Sequence, residues 1–357
     1  MEIQTNYSYI NQNNNNNNNN FTINDNSTAF SDCNSDRSGE FPTTWSETTS
    51  RDLLISCTNE NSDDLIKHLV SVLQSTSIDE QKQAAMELRL LAKNKPETRL
   101  KISRAGAIKP LMTLVSSSDL ILQELGVTAI LNLSLCDENK EILGGSIRWI
   151  KELVKALNVG TTTTKENAAC ALLRLSQLEQ NKSTIGQSGA IPFLVKLLEN
   201  GSIRGKKDAA TALYSLCSTV KENKIRAVNG GIMKPLVELM ADFGSNMVDK
   251  AAFVMSILVS VAQARVALVD EGGIPVLVEI LEAGSQRQKE IVVVILLQIC
   301  ESSVAYRTLV AREGAIPPLV ALSQSGTNRA KQKAETLIEL LRRPRSDNTG
   351  HSQDMSA

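Results

Sequence analysis

An all-α solenoid of stacked three-helix units is the fold class this 357-residue sequence predicts, and three observations carry the prediction. A glycine followed by an apolar stretch recurs along the chain: GAIKPLMTLV from Gly106, GSIRWIKELV from Gly145, GAIPFLVKLL from Gly189, GIMKPLVELM from Gly231, GGIPVLVEIL from Gly272 and GAIPPLVALS from Gly314. Successive copies are 39, 44, 42, 41 and 42 residues apart, a period that belongs to arrays of helices. Aromatics make up 3% of the chain against a hydrophobic total of 42%. The core must therefore be built from Leu, Ile, Val and Ala, packing helix against helix.

Residues 1–60 are rich in Asn, Ser and Thr and include an unbroken asparagine run from Asn13 to Asn20. They offer too few apolar groups to offset the entropy of ordering and are expected to be disordered. The run could promote self-association or be inert. A weakly amphipathic stretch from Leu53 to Cys57 leads into the periodic region, and LIKHLVSVL from Leu65 fits the repeat register without its glycine, giving about seven copies. The repeat domain is assigned to 61–345, and a short tail, 346–357, is expected to be disordered.

Each copy reads as three helices. In the one opening at Gly106, the residues Ile108, Leu111, Leu114 and Val115 recur at three- and four-residue intervals and share one helix face. The glycine makes the turn, and Pro110, Pro192, Pro235, Pro275 and Pro317 fall in the first helical turn, where the missing N–H costs little. A longer third helix follows, seen in ELGVTAILNLSLC, KENAACALLRLSQ, KKDAATALYSLCS and QKEIVVVILLQIC. Ala129, Ala171 and Ala212 hold equivalent positions in it and allow neighbouring units to approach. A short element such as DENKEIL, EQNKSTI or KENKIRAV then leads to the next glycine. It carries Asn139, Asn181 and Asn223, spaced 42 and 42 and expected to act as helix N-caps.

The net charge of −1 hides a net of −5 in residues 1–50 and −2 after Arg345, so 51–345 carries +6. A mildly basic body favours acidic protein partners over a polyanion as extended as DNA. Scarce aromatics also argue against single-stranded nucleic acid. A basic residue stands seven positions before the glycine in most copies: Arg99, Lys182, Lys224, Arg265 and Arg307, with Lys140 displaced by a shorter link. Two readings stay open: a ladder of charge along one edge, or solvated positions whose stems cover apolar surface.

Catalysis has no visible residue set. The only histidines are His68 and His351, which starves both a triad and a zinc site, and no phosphate-cradling glycine loop occurs. The glycine pairs Gly144-Gly145, Gly230-Gly231 and Gly272-Gly273 read as repeat turns, and Glu138 and Glu166 as solvated link residues. Cysteines at 33, 57, 136, 170, 217 and 300 show no CxxC spacing. The last four are assigned to third helices as small buried hydrophobes. No secretory leader, membrane-length apolar run or lipidation motif is seen, so the expected setting is cytoplasmic or nuclear and the sequons at Asn6, Asn20, Asn26 and Asn132 idle. No cofactor or metal is expected.

The glycine turn, the GAIPPLV-type helix and the ALLRLS-type helix with its following Asn-Lys resemble the armadillo repeat, in the version found in plant U-box proteins. The segments that carry the resemblance are DENKEILGGSIRWIKELV, EQNKSTIGQSGAIPFLVKLL and AREGAIPPLVALSQSGTNRAKQKAETLIELLRR, and it runs from about Asp63 to Arg345. It implies a right-handed superhelix whose third helices line a concave groove that holds protein segments. Ubiquitin ligases of that family carry a U-box ahead of the array. Here the Asn-rich segment lacks its Cys-Pro and Asp-Pro-Val pattern, so direct ubiquitin transfer is not expected, while a substrate-recruiting or regulatory role beside a ligase is the alternative. The tryptophan-then-asparagine ladder of importin-α-type grooves is absent: Thr128, Cys170, Thr211, Phe253 and Val294 stand four residues before Asn132, Arg174, Ser215, Ile257 and Gln298.

The expected activity is recognition without catalysis. Asn132, Arg174, Ser215 and Gln298 are expected to face the groove, where polar side chains can hydrogen-bond the backbone of an extended peptide. Each could equally be an ordinary solvated position. Trp149, standing where Pro110 stands one repeat earlier, is either an exposed anchor or a packing residue.

Overall fold

The computed structural model describes residues 61–343. The expected disorder of 1–60 and 346–357, the asparagine run, the stretch from Leu53 to Cys57, Cys33, Cys57, His351 and the first three sequons lie outside the described residues.

Among the described residues there are twenty helices and no strand. The first unit shows two, α1 (Ser62–Val72) and α2 (Ile78–Asn94). Three-helix units follow: α3 (Thr98–Arg104), α4 (Ile108–Val115) and α5 (Leu120–Leu133); α6 (Asp137–Gly144), α7 (Ile147–Val159) and α8 (Thr162–Leu175); α9 (Glu179–Gln187), α10 (Ala190–Asn200) and α11 (Ile203–Cys217). The array continues with α12 (Lys221–Asn229), α13 (Met233–Ala241) and α14 (Val248–Leu258); α15 (Ala262–Asp270), α16 (Gly273–Ala283) and α17 (Gln286–Ser302); α18 (Val304–Arg312), α19 (Ile316–Ser325) and α20 (Asn328–Arg342). The seven repeats are thus present, the leading one without a first helix among the described residues.

Five turn glycines, Gly106, Gly189, Gly231, Gly272 and Gly314, have φ between 70° and 89°, where a Cβ would be strained. Gly145 does not share the turn: at φ −70° it ends α6 in helical geometry, which fits the shortened 39-residue spacing before it. Most third helices start at a side-chain cap. Ser77, Asp119, Thr161, Ser202, Ser285 and Thr327 each accept from a backbone N–H in the first turn, and Ser285 with Gln288 completes a capping box.

One apolar core runs through the stack. Ala129, Ala171 and Ala212 are buried in it, as their register requires. Third helices pack on one another from α2 to α20 and make more extensive contact with each other than second helices do.

The capping role expected of Asn139, Asn181 and Asn223 is corrected by the structure. The residues at those N-caps are Cys136, Leu178 and Val220, which make no side-chain cap bond. Each asparagine lies inside the first helix and ties two units together. Asn139 Nδ2 donates to Leu133 O (3.0 Å) and to Arg99 O (3.2 Å) of the unit before. Asn181 repeats this to Leu175 O (2.9 Å) and Lys140 O (3.1 Å), and Asn223 to Leu216 O (2.9 Å) and Lys182 O (3.0 Å). Buried polar groups must find partners, and here each amide takes one carbonyl at the end of the preceding third helix and one within the preceding first helix.

Candidate functional site: the row along the third helices

The four residues expected to face a groove stand at one register on the third helices α5, α8, α11 and α17. Their exposure differs. Arg174, Ser215 and Gln298 are half-buried, and Ile257 of α14 continues the row between Ser215 and Gln298. Asn132 is only 1% exposed, and its Nδ2 donates to Arg89 O of α2 at 3.1 Å. It therefore ties two units together below the surface, because the preceding third helix covers it. Ser215 Oγ accepts from Ser176 Oγ at 2.8 Å, joining the α8 and α11 units.

The basic residues expected along one edge do not form a free ladder. Arg99 Nε donates to Ala92 O (2.8 Å), Arg265 Nη1 to Val259 O (2.7 Å) and Arg307 Nε to Cys300 O (2.8 Å), all at the C-terminal end of the preceding third helix. Cations there complete orphan carbonyls and oppose the helix dipole. Lys182 is 8% exposed and its Nζ reaches Glu179 (2.7 Å) and Ser218 Oγ (3.0 Å). Lys224 Nζ donates to Ser260 Oγ (3.0 Å), and burial lowers its pKa. The bland alternative is nearer, with bonds to helix ends where solvation was expected.

A row that the sequence reading missed lies four residues before Thr128, Cys170, Phe253 and Val294. Glu124, Glu166, Asp249 and Glu290 each accept from the start of the next third helix: from Thr161 Oγ1 (2.7 Å), Ser202 Oγ, Gln288 Nε2 (2.8 Å) and Thr327 Oγ1 (2.7 Å). Arginines add charge pairs, Arg204 to Glu166 (3.4 Å), Arg287 to Asp249 (3.8 Å) and Arg329 to Glu290 (3.7 Å). Glu166, read from sequence as a solvated link residue, is 6% exposed inside α8. The available signal was the recurrence of carboxylates, 42 residues from Glu124 to Glu166 and 41 from Asp249 to Glu290, broken by Lys207 on α11. Deeper in the same region, burial pushes the Asp208 carboxyl up to about 6, against the opposing pull of Arg204.

Elsewhere the expectations divide. Cys170, Cys217 and Cys300 are buried, but Cys136 is half-exposed at the N-cap of α6, where its Sγ donates to Glu138. It falls past the end of α5 because that helix stops at Leu133. Trp149 is half-buried and packs on the core. His68 is exposed on α1. No described helix is long and apolar enough to cross a membrane.

A family model described as the plant U-box protein ARM repeat region matches residues 64–355. The chain belongs to this family. Among curated relatives, U-box domain-containing protein 3 of Arabidopsis thaliana is 44% identical over 232 residues, 65% of this chain and 30% of that protein. The E3 ubiquitin-protein ligase SPL11 of Oryza sativa subsp. japonica is 52% identical over 73 residues, 20% of this chain and 10% of that protein. The chain thus spans a minor part of the curated relatives it matches. Among solved structures, an engineered protein aligns with TM-score 0.70 at 25% identity, covering 78% of this chain and 68% of its own. A designed armadillo repeat protein aligns with TM-score 0.51 at 19% identity, covering 77% and 99%. The fold is the armadillo superhelix.

Proposed function

We propose that this armadillo array is a protein-interaction scaffold that holds an extended segment of a partner along its third helices, without catalysing a reaction. The observation that carries the reading is the row Arg174, Ser215, Ile257 and Gln298, half-buried side chains at one register on four successive helices. Packed helices lie roughly 8–10 Å apart and an extended chain advances about 3.3 Å per residue, so a bound segment would present two to three residues to each helix. Serine, glutamine and arginine there can pair with peptide carbonyls and N–H groups, which recur whatever the sequence. The setting we assign to this activity is the cytoplasm or nucleus.

The test is selection of binders from a displayed library of random peptides on the purified chain, followed by affinity measurement on variants. Arg174→Glu and Gln298→Ala should each weaken the selected peptides several-fold, while Glu279→Ala on the second helix α16 should not. Peptides indifferent to Arg174 and Gln298 would remove the assignment.

Kinship with U-box proteins favours a second reading, in which the segment held is a substrate or regulator of ubiquitin ligation. The chain added to activating enzyme, conjugating enzyme and ubiquitin should form no ubiquitin chains alone and should promote modification of its bound partner when a ligase is supplied. Chain formation by this protein alone would overturn that division of labour.

A further inference from the structure

At the junction of a third helix with the second helix of the next unit, two positions can line one cleft, as Lys165 with Lys196 and Gln81 with Thr113 do: the fourth residue of the third helix and the seventh residue after the turn glycine. Along the array the residues at these two positions are Gln81 and Thr113, Gln123 and Glu152, Lys165 and Lys196, Lys206 and Glu238, Ala251 and Glu279, and Lys289 and Ala321. In this series two cations meet only at Lys165 and Lys196, where the neighbouring junctions offer a glutamate or a neutral residue. Both line a cleft of about 200 Å³ with Leu157, Phe193 and Leu197 on its walls and no carboxylate in its lining. Neither lysine makes an ion pair among the described residues. Lys165 is half-buried and Phe193 half-exposed, and Val159 and Ile203, which follow the lining residues Asn158 and Ser202 in the chain, are 58% and 69% exposed.

Like charges over a low-dielectric wall repel, and this junction carries a second cation where the junctions on either side carry Glu152 and Glu238. A half-exposed apolar ring in one cleft with two ammonium groups that make no ion pair is complementary to one kind of guest. We infer that the cleft between α8 and α10 is a docking site for a partner segment bearing one large apolar side chain flanked by carboxylates. The apolar group enters between Leu157, Phe193 and Leu197, and the carboxylates pair with Lys165 and Lys196. The matching junction between α2 and α4 forms a wider opening of about 670 Å³, where Gln81 and Thr113 take the two lysine positions. That opening lacks the paired charge and is not assigned the guest.

The site is separate from the row at Arg174. Lys165 and Arg174 are nine residues apart on α8, which puts them about 13 Å apart along the axis and on opposite faces. The two proposals therefore fail independently. The probe is a fluorescein-labelled peptide with one phenylalanine between pairs of glutamates, and its control carries lysines in place of the glutamates. Fluorescence anisotropy on the full chain should show binding of the glutamate peptide, weakened by salt, and none of the control. The Lys165→Glu/Lys196→Glu variant should lose about tenfold or more in affinity, and Phe193→Ala several-fold. Arg174→Glu and Lys206→Glu should leave it within about twofold, and a circular dichroism melt checks that each variant is folded. Equal affinity for the wild type and the double lysine variant, equal binding of both peptides, loss through Arg174→Glu, or no binding at millimolar protein would each overturn the inference.

Discussion

The side-chain amide of Asn181 occupies the space a side chain on Gly144 would need: a Cβ built on Gly144 would lie 2.1 Å from Asn181 Nδ2. Asn223 stands in the same relation to Gly186, at 1.8 Å from its Oδ1. The next junction has another solution, with Val228 in the glycine register and Ala264 in the asparagine register. A hydrogen-bonded asparagine against glycine is thus replaced there by two apolar side chains.

The two solutions can be exchanged. Gly186→Val alone should destabilise by several kcal/mol through overlap with Asn223, and Asn223→Ala alone by about 1–3 kcal/mol through its two lost carbonyl partners. The double variant should cost at least about 1 kcal/mol less than the sum, as urea unfolding of the four proteins will measure. Strict additivity would show that the two positions are not coupled.

Asp208 sets a pH dependence of known sign. It is 8% exposed, and burial raises its carboxyl from 3.8 to about 6, outweighing Arg204, Arg174 and Lys250, while Glu166 adds to the rise. The folded protein holds this proton more tightly than the unfolded chain, so its contribution to stability falls as pH rises from about 4 to about 6 and stays low above that. Relative to wild type, Asp208→Asn should gain up to about 3 kcal/mol at pH 7.5 and almost nothing at pH 4. A gain equal at both values would contradict the burial of an ionised group.

Thiol labelling should separate the cysteines by burial. Cys217 and Cys300 have thiols pushed up to about 12 by burial and should react only as the array unfolds. Cys136, half-exposed beside Glu138, should react in the folded protein, slowly because burial and the neighbouring carboxylate raise its pKa. Mass spectrometry of the timed reaction, peptide by peptide, gives the order.

Thr161→Ala should cost about 1–2 kcal/mol, since this hydroxyl both caps α8 and donates to Glu124 across the junction. Lys82 and Asp119 take the corresponding places one junction earlier, as a 2.8 Å ion pair. Thermal melts in 0.05 and 0.5 M salt should show the Asp119→Ala loss shrinking with salt and the Thr161→Ala loss unchanged.

The helical order was legible because its causes are local. Turn glycines such as Gly189, first-turn prolines such as Pro192 and the apolar spacing of Ile108, Leu111 and Leu114 act within one helix and recur with the period. What one unit does to the next was less legible. Asn181 looked like a cap because caps favour asparagine, yet its bonding partner Lys140 O lies 41 residues away. Arg99 read as either edge charge or a solvated position, but the carbonyl of Ala92 that holds it belongs to the preceding unit. Asn132 was placed on the groove by register alone, and register does not say which neighbour covers a side chain. Lys165 and Lys196 stand 31 residues apart and carried no signal in the sequence, and the pair became a feature only when the junctions could be compared.

Hydrogen exchange on the full chain, free and saturated with a peptide selected for binding it, tests the scaffold reading most directly. The account predicts slowed exchange concentrated on the third helices α8, α11, α14 and α17, with first helices such as α9 and α12 unchanged. Slowing confined to first or second helices, with those third helices unaltered, would contradict it.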